Sequence, residues 1–236
     1  VDIINNSYGD SAEIGVDCNS ASSCETAIGS SVYTQMEAVG AADIINVWAA
    51  GNDSKDNPSV LAGAHLYDTD FKDLSIAVVA VGTDGKIASY SNKCGVVAAY
   101  CVAAPGSAIY SANYFANGYH VAKNGTSMAA PMVSGALALV KHEFSSLTNV
   151  QVVSRLLTTA LDTDEYSQSA IYGHGLINLN GATAAVGSLQ TIGGSNLLDD
   201  SSANYYDLVN NSFTSSAAFS NALANALAGQ TMEVYD

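Results

Sequence analysis

Asn124-Gly125-Thr126-Ser127-Met128-Ala129-Ala130-Pro131-Met132-Val133-Ser134-Gly135-Ala136 is the stretch from which the rest of this chain can be read. From Met128 onward its residues are small or apolar on every side (Met128, Ala129, Ala130, Met132, Val133, Ala136, Leu137, Leu139, Val140), the signature of a helix buried all round. Proline has no N–H, and its ring clashes with the carbonyl four residues back. Pro131 is therefore expected in the first helical turn, which puts Ser127 at the helix N-terminus. There its hydroxyl meets unpaired N–H groups and the positive end of the helix dipole. A serine so placed is either a simple helix cap or a reactive hydroxyl, and this segment alone leaves both readings open.

Outward from that helix, strand-like and helix-like segments alternate, which predicts an α/β fold with a mostly parallel sheet covered by helices. Strands are expected over Val1–Tyr8, Asp43–Ala50, Leu74–Val81, Ile87–Tyr90 and Val96–Ala103. Ile28, Val32, Met36 and Val39 recur at helical spacing. Helices are expected from Ser127 to about Phe144 and over Val150–Leu161. Beyond Gly187 the composition turns to Ser, Asn, Gly and Asp, so residues 188–236 read as a linker or docking tail. One weak helix in that tail is suggested by Phe219, Leu223 and Leu227.

With 48 % hydrophobic and 12 % charged residues, the 236-residue chain is globular and long enough for one α/β domain. Its 7 basic and 22 acidic side chains give a net charge of −15, which argues against nucleic acid or an anionic membrane surface as partner. No stretch has the apolar length of a membrane span. The four cysteines form two close pairs, Cys18 with Cys24 and Cys94 with Cys101, without the spacing of a zinc site. Two short-loop disulfides in an oxidising compartment fit better than buried free thiols, which stay as the alternative. The chain opens on a strand without Met or signal peptide, which reads as the middle of a longer protein.

Two further motifs accompany the serine. Ala49-Ala50-Gly51-Asn52 closes an expected strand, and Asn6-Ser7-Tyr8-Gly9 closes another. Strand C-terminal ends are where α/β folds bind ligands. Together the three segments resemble the subtilisin-like serine proteases, the subtilase family, over about Val1–Gly187. In wording, Ile4–Gly9, Ser89–Gly95 and Ala103–Gly106 are most similar to the subtilase passenger domains of bacterial autotransporters. In those, a cysteine pair brackets the strand that Cys94 and Cys101 bracket here. Tyr172–Asn178 resembles the glycine turn near the end of the family's catalytic domains.

The resemblance implies a three-layer subtilisin-like fold whose N-terminal strands are missing, residues 1–187 being the C-terminal part of a catalytic domain. It implies a serine endopeptidase acting on protein or peptide substrates, secreted or on the bacterial cell surface. Ser127 would be the nucleophile and Asn52 the side-chain donor to the oxyanion, a contact worth about 3–4 kcal/mol in the transition state. Ala49, Ala50 and Gly51 would line the pocket for the residue before the scissile bond. Ser7, Tyr8 and Gly9 would pair with the substrate backbone by strand addition. Tyr8 stands where the family usually has Leu, and Asp10 where a second Gly is frequent.

A serine nucleophile needs a base, and subtilases order their triad Asp, His, Ser along the chain. His120 lies seven residues before Ser127, His174 sits in the glycine turn, and His65 and His142 have no motif around them. Asp2 and Asp43 lack the context of a triad aspartate. Both partners are therefore expected upstream of Val1, in an N-terminal segment of the same protein, and the chain alone is expected to be inactive. No cofactor is implied. Calcium is frequent in the family, but Asp68, Asp70 and Asp73 form no motif for it. Two rival readings remain, a non-catalytic subtilase-like module used for binding or assembly, and an esterase using the same serine.

Overall fold

Strands β1 (Ile3–Asn6), β2 (Ile45–Ala49), β3 (Ser75–Val81) and β4 (Cys101–Pro105) form one parallel sheet in that order. The register sets Asn6 opposite Trp48, Ala49 opposite Val78 and Val81 opposite Pro105. Every residue of β2 and β3 is buried, as parallel strands covered on both faces must be. The computed structural model describes residues 2–112 and 120–184. They lie in a compact unit spanning Val1–Thr183, apart from Ala184. The expected tail, with its helix at Phe219–Leu227, lies outside the described residues.

Successive residues of a strand point to opposite faces, and the two cores divide accordingly. On one face Val47, Ala49, Val78, Ala80 and Val102 pack against α4 (Thr126–Glu143) and α5 (Asn149–Thr158). On the other, Trp48, Ala50, Ala77, Val79 and Ala103 pack against α2 (Ser30–Ala41), α3 (Val60–Gly63) and the short helix α6 (Ser169–Tyr172). Helix α1 (Ala21–Ile28) precedes α2 and opens on a capping box, with Ser20 accepting from the Ser23 N–H. Helix α7 (Leu179–Thr183) closes the described chain. The α/β class is thus realised as helix, sheet and helix in three layers.

The two sheet edges differ. The glycine turn covers the outer edge of β4: Ala103 donates to the Gly175 carbonyl at 2.8 Å, and His174 and Ile177 donate to the Cys101 and Ala103 carbonyls. Gly175 has φ +109°, a conformation in which a side chain would run into the Leu161 carbonyl. The outer edge of β1 pairs with nothing among the described residues.

Several expectations need correction. Val96–Ala103 is not one strand: Gly95–Tyr100 is a 3₁₀ helix, and only Cys101–Pro105 is extended. The Cys94–Cys101 disulfide, with its Cα atoms 5.7 Å apart, is the reason. Seven extended residues would span about 23 Å, so the segment between the cysteines must coil. Ile87–Tyr90 makes one isolated bridge, from Ile87 to Val81. The hairpin of β5 (Ile109–Ala112) and β6 (His120–Lys123) is additional to the expected strands.

Helix α4 departs from its expectation twice. Pro131 is its sixth residue, not in its first turn. Nor is the helix buried all round, because Met132 (41 % exposed) and Leu139 (50 %) continue an apolar strip over Pro131, Gly135 and Ala138 to the surface.

Both cysteine pairs are disulfides, with Cα atoms 4.9 Å apart for Cys18–Cys24. Peptide mapping without reduction should recover these two linkages and no alkylated cysteine. Each closes a short loop, so each contributes at most about 2–3 kcal/mol, and mild reduction should loosen the loops without unfolding the protein.

His65 is 0 % exposed, edge-on to the Tyr100 ring, with neither ring nitrogen hydrogen-bonded among the described residues. Burial holds its pKa down at about 3, against 6.5 for an ordinary histidine. Between those two values the unfolded chain takes up a proton that the folded chain refuses. The stability held above pH 6.5 should therefore fall toward pH 3 by up to about 1.4 kcal/mol per unit from this group. Urea unfolding across that range should show a shallower acid limb for His65→Phe; equal slopes in both proteins would refute this origin.

Candidate active site

The C-terminal end of β2 and the N-terminus of α4 meet because α4 packs along the sheet face that carries Val47 and Ala49. Gly125 is the cap residue of α4, at φ +152°, a value that favours glycine. A Cβ on it would lie in ordinary contact, 3.7 Å from Asn52 Oδ1 and 3.6 Å from the Ser127 nitrogen, so the backbone angle rather than lack of space calls for glycine. The Tyr90 hydroxyl donates to the Gly106 carbonyl at 2.9 Å and accepts from the Gly125 N–H at 3.1 Å, which pins the turn before the helix.

Thr126 joins the helix to the β2 loop. Its N–H and its hydroxyl both donate to Asn52 Oδ1, at 2.9 and 3.1 Å, and the hydroxyl accepts from the Gly51 N–H at 3.2 Å. The Asn52 carboxamide is thereby held by its oxygen, and its Nδ2 makes no hydrogen bond among the described residues. The Ser127 N–H, in the first turn of α4, is likewise outside the helical ladder. Two N–H donors thus stand open on either side of the Thr126 contact, an arrangement suited to a developing negative oxygen.

Ser7 enters the same cluster. Pro131 has no N–H for the carbonyl four residues back, which is that of Ser127. The Ser7 hydroxyl supplies the missing donor, at 2.9 Å across 120 residues of sequence. Ser7 in turn accepts from Asn5 Nδ2 at 2.8 Å, and Asn5 Oδ1 accepts from Ser134 on α4 at 3.1 Å. This is why proline is tolerated in the second turn.

Of the residues singled out from the sequence, the structure brings together Ser7, Gly51, Asn52 and Ser127. Ala49 and Ala50 are buried at the end of β2. Tyr8 is 61 % exposed and stands edge-on to Trp48, with ring centroids 5.6 Å apart. Gly9 lies against Ser59. Thr126, Tyr90 and Asn92 carry no role in the sequence reading, although each lies within a quoted motif. Their proximity to Asn52 is tertiary and leaves no periodic signal.

The Ser127 hydroxyl makes no hydrogen bond among the described residues. His65 is enclosed in the opposite core, and His120 stacks on Tyr110 in the hairpin. His174 Nε2 bonds the Ala99 carbonyl at 3.0 Å. His142 is fifteen residues further along α4, or about 22 Å at 1.5 Å per residue. Asp2 lies 3.8 Å from the Lys141 ammonium. Among the described residues, no group of three His, Cys, Asp or Glu side chains could hold a metal ion.

The Subtilase family model matches residues 1–175. Serotype-specific antigen 1 of Mannheimia haemolytica is 42 % identical over 141 residues, 58 % of this chain and 15 % of that protein. Subtilisin DY of Bacillus licheniformis is 39 % identical over 143 residues, 60 % of this chain and 47 % of the subtilisin. The Neisserial autotransporter lipoprotein NalP of Neisseria meningitidis is 27 % identical over 151 residues, covering 58 % and 14 %. In fold, the chain is similar to the prenylagaramide maturation protease PagA, with a TM-score of 0.59 at 24 % identity over 77 % of this chain and 60 % of that one. The chain spans less than half the length of these curated relatives.

Proposed function

The chain belongs to the subtilase family, and on that premise we propose that the whole protein is a secreted or cell-surface serine endopeptidase cleaving peptide bonds in proteins. Ser127 Oγ attacks the substrate carbonyl, its proton passes to a histidine base, and the carbonyl oxygen becomes an oxyanion held by Asn52 Nδ2 and the Ser127 N–H. The base returns the proton to the departing amine as the C–N bond breaks, and water then hydrolyses the acyl-serine. The observation that carries this reading is the pinning of Asn52 Oδ1 by Thr126, which leaves Nδ2 as the open end of the amide.

Ser7, Tyr8 and Gly9 offer backbone for pairing with an extended substrate, and Ala49–Gly51 border the pocket beside it. The proposed chemistry uses no cofactor. Two disulfides support an oxidising, extracytoplasmic location. The likeness to NalP supports the same placement. The base and its aspartate come, in this proposal, from an N-terminal segment of the same protein. The outer edge of β1, unpaired among the described residues, and the apolar strip Met132–Leu139 of α4 are the surface that such a segment would cover.

A second reading, a non-catalytic module, rests on the positions of His65, His120, His142 and His174, none of which meets Ser127. Fluorophosphonate labelling of the full-length protein separates the two: labelling that Ser127→Ala abolishes supports the peptidase, and its absence from the wild type supports the module. In the active protein, Asn52→Ala should lower kcat by roughly 10²–10³ with little change in KM, because the donor bonds the transition state more than the ground state. A rise in KM alone would remove Asn52 from this role.

The chain by itself should neither label nor cleave casein. With one sheet edge and one helix strip uncovered among the described residues, it should dimerise, aggregate, or require the N-terminal segment for a sharp melting transition. Sedimentation of the isolated chain as a cooperative monomer would show that this surface needs no cover.

A further inference from the structure

The loop that carries Asn52 is built around another side chain. Asn92 is 0 % exposed, and its carboxamide bonds the chain on both sides of Asn52. Nδ2 donates to the Ala50 carbonyl at 3.1 Å, and Oδ1 accepts from the N–H groups of Asp53 at 3.0 Å and Lys55 at 3.1 Å. The Asn92 N–H adds a bond to the Gly51 carbonyl at 3.0 Å. Neighbouring contacts extend the attachment: Ser54 donates from its N–H to the Tyr90 carbonyl, and Lys93 to that of Lys55.

The fit is close. Gly51 has φ +114°, and a Cβ there would come within 2.5 Å of Asn92 Nδ2. Thr126 fixes the rotation of the Asn52 amide, but a rotation alone does not place the amide relative to Ser127. The backbone on either side must be held as well, and the side-chain bonds that hold it at Ala50, Asp53 and Lys55 converge on Asn92. Donors to an oxyanion act only when held near their productive geometry, and a displacement of about 1 Å can cost about 10²-fold in rate.

We infer that Asn92 is the positioning residue of the oxyanion loop, acting on catalysis through Asn52. The inference rests on the peptidase reading above. Because Asn92 touches neither substrate nor Ser127, its removal should spare substrate binding and weaken only transition-state stabilisation. Aspartate at this position would keep both acceptor bonds while setting an oxygen against the Ala50 carbonyl, so it should give an intermediate loss.

The test is a double-mutant cycle in the full-length protein, with peptide turnover and thermal melting followed together. Asn92→Ala should lower kcat about 10²-fold with KM within twofold, and Asn92→Asp should lower it less. On an Asn52→Ala background the same Asn92→Ala change should cost less than threefold, since the donor it positions is gone. If Asn92→Ala fails to fold, the cycle run with Asn92→Asp carries the same requirement. Equal fold losses on both backgrounds, or a loss confined to KM, overturn the inference and leave the peptidase reading standing. A wild-type protein that cleaves no peptide removes both.

Discussion

Burial of β2 and β3 on both faces is the constraint from which the site follows. A parallel sheet with helices on each side fixes where every following element can lie. The residues of β2 alternate between two cores, so Val47 and Ala49 must meet α4 while Trp48, with Ala50 just beyond the strand, meets the opposite layer. Seating α4 against that face brings Gly125 and Thr126 to the loop that leaves β2. The contact between Thr126 and Asn52 is thus a product of core packing, and an amide reaches its place because apolar side chains elsewhere have only one way to be covered.

How much of this the sequence discloses depends on the range of the force involved. The buried strands at Ile45–Ala49 and Ser75–Val81 show as largely apolar runs, with Asn46 and Ser75 their only polar residues, since burial on two faces disfavours polar positions. The serine segment and the Gly51-Asn52 turn are local and can be read as such. Pro131 is misplaced by local reasoning because its cost depends on whether the Ser127 carbonyl finds another donor, and that donor is Ser7, 120 residues away. The coil of Gly95–Tyr100 is hidden by β-branched Val96 and Val97 until the disulfide is taken as a distance constraint. Asn92 reads from sequence as a turn residue, since the three partners of its side chain, at positions 50, 53 and 55, come near it only in the fold.

The hydrogen bond from Ser7 to the Ser127 carbonyl ties two positions together in what they can become. At position 131, any residue other than proline would bring an N–H that claims the Ser127 carbonyl for the helix. A carbonyl oxygen has two lone pairs, so the Ser7 hydroxyl could keep its bond beside that N–H, but it would no longer be the donor on which the Ser127 carbonyl depends. Conversely, an alanine at position 7 would strand that carbonyl unless the proline changed with it. Loss of the hydroxyl at position 7 should therefore be tolerated better once position 131 is no longer proline, so the strand offered to the substrate and the helix bearing the nucleophile are not independent parts that sequence drift can tune separately.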